Sequence, residues 1–197
     1  MYEEFKELIA LLNKHKAKYL VIGGYAVGVH AQPRVTKDLD LLILPAPKNA
    51  AAVFKALQEF GAPLRTKTDP ADTDRFAAHR PLTAKDFEDE NSWFMMGVPP
   101  RAVDVLAKIP GIVFNAAWKN RVTAVIDQPT GLTAEFISRE DLVAAKLASG
   151  RPQDLADVDA IRQAQAAAQE VTAPRTTSQG TPQKPKAKRK KKPQPKP

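Results

Sequence analysis

The chain contains no cysteine, so disulfides, thiolate metal sites and cysteine nucleophiles are excluded. That absence agrees with a reducing, cytoplasmic setting. No apolar run is long enough to span a bilayer, and no membrane partner is expected. The opening residues Met1-Tyr2-Glu3-Glu4-Phe5 are acidic and lack the pattern of a signal peptide. At the other end acid is missing instead. Nine of the 30 lysines and arginines fall in residues 171–197, which hold no Asp or Glu. This leaves 21 bases against 22 acids in residues 1–170, so the formal net charge of +8 belongs to the tail. The tail also lacks aromatic residues and has almost no large apolar ones, which predicts that 171–197 is disordered.

What is present fits one ordinary domain with an appendage: 197 residues, 43% of them hydrophobic, enough for a core. Phe5, Leu8, Ile9 and Leu12 recur at helical spacing and predict an amphipathic helix from Tyr2 to about Lys16. A strand is expected at 19–22, a short helix at 24–31, a second strand at 37–44 and a helix at 49–60 ended by Gly61. Residues 62–91 are polar, contain Asp69, Asp72, Asp74, Arg75, His79 and Arg80, and predict no firm structure. Two strands follow at 92–96 and 102–109 around Gly97-Val98-Pro99-Pro100, then a helical turn at 114–118 and strands at 121–126 and 132–137. Ser138, with Asp141 three residues on, starts a helix that runs to Gly150, and Pro152 suits the start of another.

The informative stretch is Leu20-Val21-Ile22-Gly23-Gly24, followed by Arg34-Val35-Thr36-Lys37-Asp38-Leu39-Asp40. A buried strand closes on paired glycines, where the backbone bends sharply and another group can approach it closely. The N–H groups that follow begin a helix, a ready site for phosphate. Asp38 and Asp40, two apart on a strand, point to one face. A carboxylate pair of this kind suits a divalent cation with oxygen ligands. Solvated strand ends also carry Asp-x-Asp, but here Leu42 and Leu44 continue the aspartate face while Leu39, Leu41 and Ile43 occupy the other. The strand is therefore central, and carboxylates at its end need partners or a metal. Asp104, inside Ala102-Val103-Asp104-Val105-Leu106, is likewise paired or a ligand, with Arg101 the simplest partner. His30 reads as a packed histidine rather than a catalytic one.

Gly23-Gly24, the Arg34/Thr36/Asp38/Asp40 run and the Asp104 strand resemble the nucleotidyltransferase fold of the DNA polymerase beta superfamily. Glu140-Asp141-Leu142 through Lys146, then Gly150-Arg151-Pro152-Gln153-Asp154-Leu155-Ala156-Asp157, is similar to the helical end of small bacterial members such as the AbiEii-like group. The resemblance covers roughly residues 2–165. It implies an α+β fold: a mixed sheet flanked by helices at 1–137, a C-terminal helical segment at 138–170 and the basic tail at 171–197. The implied activity is transfer of a nucleoside monophosphate from a nucleoside triphosphate to a hydroxyl of RNA, protein or a small molecule. It implies two magnesium ions on Asp38 and Asp40, with Asp104 as third ligand and orienting group for the acceptor. Gly23, Gly24, Arg34, Thr36 and Arg151 are expected to bind the nucleotide, and Lys146 and Asp154 to act in catalysis. A structural ion pair between two helices is the alternative for the last two. The AbiEii-like group includes toxins, which implies an antitoxin-like protein partner. Two features depart from the pattern: His30-Ala31 stands where small members often carry His-Gly, and no recognisable acceptor-binding domain follows. A rival reading without chemistry is a nucleic-acid-binding or adaptor protein. It rests on Lys188-Arg189-Lys190-Lys191-Lys192, which would neutralise RNA phosphates without reading sequence.

Overall fold

The computed structural model describes residues 1–61, 64–66, 82–98 and 101–172. The chain folds as an α+β domain around a seven-stranded mixed sheet of order β3-β4-β5-β2-β1-β7-β6. Its strands are β1 Tyr19–Val21, β2 Leu39–Ile43, β3 Leu64–Thr66, β4 Trp93–Val98, β5 Arg101–Leu106, β6 Val122–Asp127 and β7 Leu132–Phe136. The helices are α1 Glu3–Lys14, α2 Gly23–His30, α3 Pro47–Phe60, α4 Phe114–Asn120, α5 Arg139–Ser149 and α6 Pro152–Thr172.

Helix α1 buries Phe5, Leu8, Ile9 and Leu12, the stripe its periodicity predicts. Lys14 and His15 at its end both bond Glu59 of α3, so the two helices pack side by side. β1 and β2 form the centre: Tyr19, Leu20, Val21, Leu39, Leu41, Leu42 and Ile43 are all buried. β1 pairs antiparallel with β2 and parallel with β7, while β2 pairs parallel with β5. The order places β2 and β5, the strands that carry Asp40 and Asp104, side by side in the middle of the sheet. Helix α2 leaves the end of β1 and packs against β2, α5 and α6.

The polar segment 62–91 departs from expectation. Its residues 62–63 and 67–81, among them Asp69, Asp72, Asp74, Arg75, His79 and Arg80, lie outside the described residues. The rest contributes β3 and a 3-10 turn, Ala84–Glu88, held by a reciprocal capping box between Thr83 and Asp86. Phe87 in that turn is fully buried, with its ring 4.4 Å from that of Phe94 and 6.1 Å from that of Phe54. Phe87 stands apart from any apolar repeat, so its burial is invisible to pattern. The strands expected at 92–96 and 102–109 fall at 93–98 and 101–106, because β4 and β5 pair as far as Val98 opposite Arg101. Pro99 and Pro100 between them are outside the described residues. Helix α6 runs to Thr172, past the expected boundary at 170; the tail from 173 onward is also outside.

Candidate active site

The turn from β1 into α2 is built around two glycines because other groups occupy the space of a side chain. Gly23 has φ +62°, and a Cβ on it would lie 1.9 Å from Oδ2 of Asp40. On Gly24 a Cβ would lie 2.5 Å from Oγ1 of Thr36 and 3.4 Å from Nη2 of Arg34. At 1.9 and 2.5 Å heavy atoms clash, so any larger residue would displace Asp40 or Thr36, while Arg34 lies at van der Waals distance. The backbone N–H of Ile22 donates to the carbonyl of Asp40 (2.9 Å), which fixes the end of β1 against the start of β2. Ile22 is the N-cap of α2 and offers no side-chain acceptor, so no side chain caps this helix. Its first turn, the positive end of the helix dipole, lies beside Arg34, Thr36 and Asp40.

Three carboxylates gather beside this turn. Parallel pairing sets Asp40 opposite Asp104 on the neighbouring strand. Asp38 sits one residue before β2 and accepts a hydrogen bond from the N–H of Ala102 (3.3 Å). Asp104 accepts from the indole Nε1–H of Trp93 on β4 (3.0 Å); the side chain of Arg101, the partner suggested by the sequence, lies outside the described residues. Burial, then the charges of Asp104 and Asp38, push the Asp40 carboxyl up to about 6, while Lys146 and Arg151 pull the other way. The three acids therefore repel one another across a partly buried space, and the nearby cations do not cancel that repulsion.

Among the described residues, no group of three or more His, Asp or Glu side chains stands ready-made around one point as a metal shell. Each carboxylate is turned to a protein neighbour instead: Asp40 to Gly23, Asp38 to Ala102 and Asp104 to Trp93. The donor chemistry nonetheless fits magnesium. The set is all oxygen, and mutual repulsion of this kind is relieved by a hard dication.

Facing the acids is a chain of ion pairs on α5 and α6. Lys146 is 6% exposed, and its Nζ donates to Oδ1 of Asp154 (2.9 Å) and to Oδ2 of Asp157 (2.7 Å). Arg151 donates to Asp154 through Nε (2.6 Å) and Nη2 (3.3 Å). Arg34, from the loop between α2 and β2, grips Asp157 through Nε (2.9 Å) and Nη2 (3.1 Å). Burial opposes ionisation of both aspartates. Hydrogen bonds from Arg151 and Lys146 at Asp154, and from Lys146 and Arg34 at Asp157, outweigh it and hold both carboxyls below the usual carboxylate range.

All the residues singled out in the sequence, Gly23, Gly24, Arg34, Thr36, Asp38, Asp40, Asp104, Lys146, Arg151 and Asp154, thus belong to one neighbourhood. Lys146 and Asp154 form the helix-to-helix ion pair that was their alternative reading, and the same pair stands beside the acids. His30 is buried, with Nε2 2.7 Å from the carbonyl of Ile137. It ties α2 to the end of β7 and packs rather than reacts. Trp93 and Asp157 were not picked out. The i, i+3 spacing of Asp154 and Asp157, which puts both on one face of α6, was the available signal for the second. Trp93 had none, because only strand pairing brings it to Asp104.

A protein-family model described as "nucleotidyltransferase of unknown function (DUF6036)" matches residues 2–170. No curated protein matches the chain.

Proposed function

The chain belongs to that nucleotidyltransferase family, and we propose that it transfers a nucleoside monophosphate from a nucleoside triphosphate to a hydroxyl acceptor. The observation that carries this reading is the meeting of three mutually repelling carboxylates, Asp38, Asp40 and Asp104, with a glycine-built, uncapped helix start. In the reaction the acceptor oxygen attacks the α-phosphorus, the bond from that phosphorus to the α–β bridging oxygen breaks, and pyrophosphate leaves. Asp38 and Asp40 would hold two magnesium ions, with Asp104 completing one site; when bound, the metal neutralises charge on the triphosphate. The α2 N–H groups at Gly23 and Gly24, with Arg34 and Thr36, bind the terminal phosphates. Trp93 holds one oxygen of Asp104, which leaves the other to orient the acceptor hydroxyl and take its proton. Lys146 and Arg151 supply positive charge opposite the acids, and Asp154 fixes both.

Nucleic acid is the acceptor class favoured by the tail, whose Lys188–Lys192 run attracts phosphates. A kinship with AbiEii-like toxins, and with it an antitoxin-like partner, is a narrower form of the same proposal. The test is incubation with each α-labelled nucleoside triphosphate and magnesium, offering total RNA, cell protein and small alcohols in turn. Label should appear in one acceptor class and vanish when magnesium is chelated. Label in none of them, together with no binding of magnesium–triphosphate, would leave the tail's nucleic-acid binding as the better account.

A further inference from the structure

The loop between α2 and β2 carries Arg34, Thr36 and Asp38, yet it is poorly anchored in the core: Val35 is 86% exposed. Its tie to the helices is the two-pronged pair from Arg34 to Asp157, which spans 123 positions of sequence. The Asp157 side chain is 3% exposed and serves more than one donor. Besides Arg34 it accepts from Lys146 Nζ (2.7 Å) and Gln153 Nε2 (3.3 Å).

The place where Arg34 is held is an unusual one for a cation. Its Nη2 lies over Gly24, 3.4 Å from where a Cβ would sit, in the first turn of an uncapped helix. The positive end of a helix repels a guanidinium and attracts an anion. Lys146 adds a second positive charge near the acids. Two cations and a helix start would drift apart without a shared counter-ion, and Asp157 bonds both cations. It uses Nε and Nη2 of Arg34, while Nη1 reaches only a marginal 3.5 Å contact with the Val35 carbonyl and keeps donors for a ligand.

We propose that Asp157 is a positioning residue for the triphosphate, holding Arg34 over the start of α2 and Lys146 beside the carboxylates so that both cations meet the phosphate chain together. This rests on the nucleotidyl-transfer reading. A fork of fixed geometry loses its aim when its partner is removed, whereas a point charge does not.

The experiment is calorimetric titration of the full chain with magnesium complexes of the four nucleoside triphosphates and of inorganic tripolyphosphate. Asp157→Asn and Arg34→Ala should each weaken binding about tenfold, roughly 1.4 kcal/mol. The double variant should lose little more than either single one, because Arg34 contributes only when Asp157 aims it. Should Asp157→Asn fail to fold, Arg34→Lys at the half-exposed position decides. It should bind as weakly as Arg34→Ala, and binding like the parent would overturn the proposal. A folded Asp157→Asn with the parent's affinity, or losses that multiply in the double variant, would also overturn it. A parent that binds neither triphosphate nor tripolyphosphate overturns the nucleotidyl-transfer reading, and this inference with it.

Discussion

The site has two walls made largely of aspartate, and the two behave in opposite ways. On the sheet, Asp38, Asp40 and Asp104 face one another, and Asp40 ionises only near pH 6. On α6, the Asp154 and Asp157 side chains are only 3% exposed, yet their carboxyls are held below the ordinary range. Burial alone would push all of them up. The difference lies in what each touches: Lys146, Arg34 and Arg151 saturate the helix pair, whereas the sheet acids meet backbone N–H, an indole and each other. The helix wall is complete as it stands, while among the described residues no cation forms an ion pair with a sheet acid, and Lys146 and Arg151 act on Asp40 only through space. On the proposed reading, acids left open on one side and neutralised on the other let the site accept a metal-bound polyanion without disturbing its own scaffold.

The largest effect should come from the unfinished wall. Asp40→Asn keeps the shape but removes a charge that, on the proposed reading, holds magnesium. Metal stabilisation is worth several kcal/mol, and each tenfold in rate takes about 1.4 kcal/mol. Transfer should fall on the order of a thousandfold or more. Without metal the variant should be at least as stable as the parent in thermal unfolding, since one source of repulsion is gone. A variant with full activity would make the sheet acids structural and erase the contrast between the walls.

The finished wall should respond the other way. Lys146→Met removes the cation shared by Asp154 and Asp157, and breaking a buried ion network from one side costs several kcal/mol. Arg34 and Arg151 remain, so a loss of about 3 kcal/mol in urea denaturation is expected. Activity should fall as well, but stability is the diagnostic readout. No loss of stability would mean that the arginines alone neutralise the aspartates.

Acidity separates the walls within one molecule. Asp154 and Asp157 have depressed carboxyls in the folded state. Their stabilisation is fully present above the unfolded value near 3.9 and is lost as pH falls through their folded values. Asp40 is raised, so its share runs in reverse: stability is lost as pH climbs from about 4 to about 6. The metal-free protein should therefore be most stable near pH 4–5 as far as these groups decide it. Asp40→Asn should cancel the decline above that, a gain of at most on the order of 3 kcal/mol at pH 7. Denaturation curves of parent and variant from pH 3 to 8 would show whether the two lines diverge in that window.

The sheet wall was legible in the sequence because its parts are local. Gly23-Gly24 and Asp38-Leu39-Asp40 sit on a strand–turn–helix–strand run, and Asp104 stands out as one charge among apolar neighbours. The helix wall was only half legible. Lys146 and Asp154 lie eight residues apart across one tight turn, but Arg34 reaches Asp157 over 123 positions, and no spacing announces such a pair. Trp93 escaped for the same reason, since its indole meets Asp104 only through the β4–β5 register. The fold followed a similar rule. Periodic helices and apolar strands were readable, while Phe87, one aromatic on a capped turn, was placed by tertiary packing alone.

The smallest effect concerns cations that no acid accompanies. The helix wall holds Arg34, Lys146 and Arg151 against two aspartates, whereas the stretch from 171 onward has nine bases and no acid. If charge alone recruited the nucleotide, the tail would matter as much as the wall. Fixed geometry argues otherwise, because a triphosphate is bound by groups aimed at it rather than by diffuse charge, which salt screens within about 10 Å. Deleting 173–197 should therefore leave the affinity for magnesium–triphosphate within about twofold at 0.15 M salt. It should also leave thermal unfolding of the domain nearly unchanged, since those residues have almost nothing apolar to bury. Binding of RNA should weaken and lose most of its salt dependence, because that dependence counts the phosphates neutralised. A large drop in melting temperature would show that the tail docks on the domain. An equal loss of nucleotide and RNA affinity would mean that the tail, rather than the ion-paired wall, supplies the positive charge of the site.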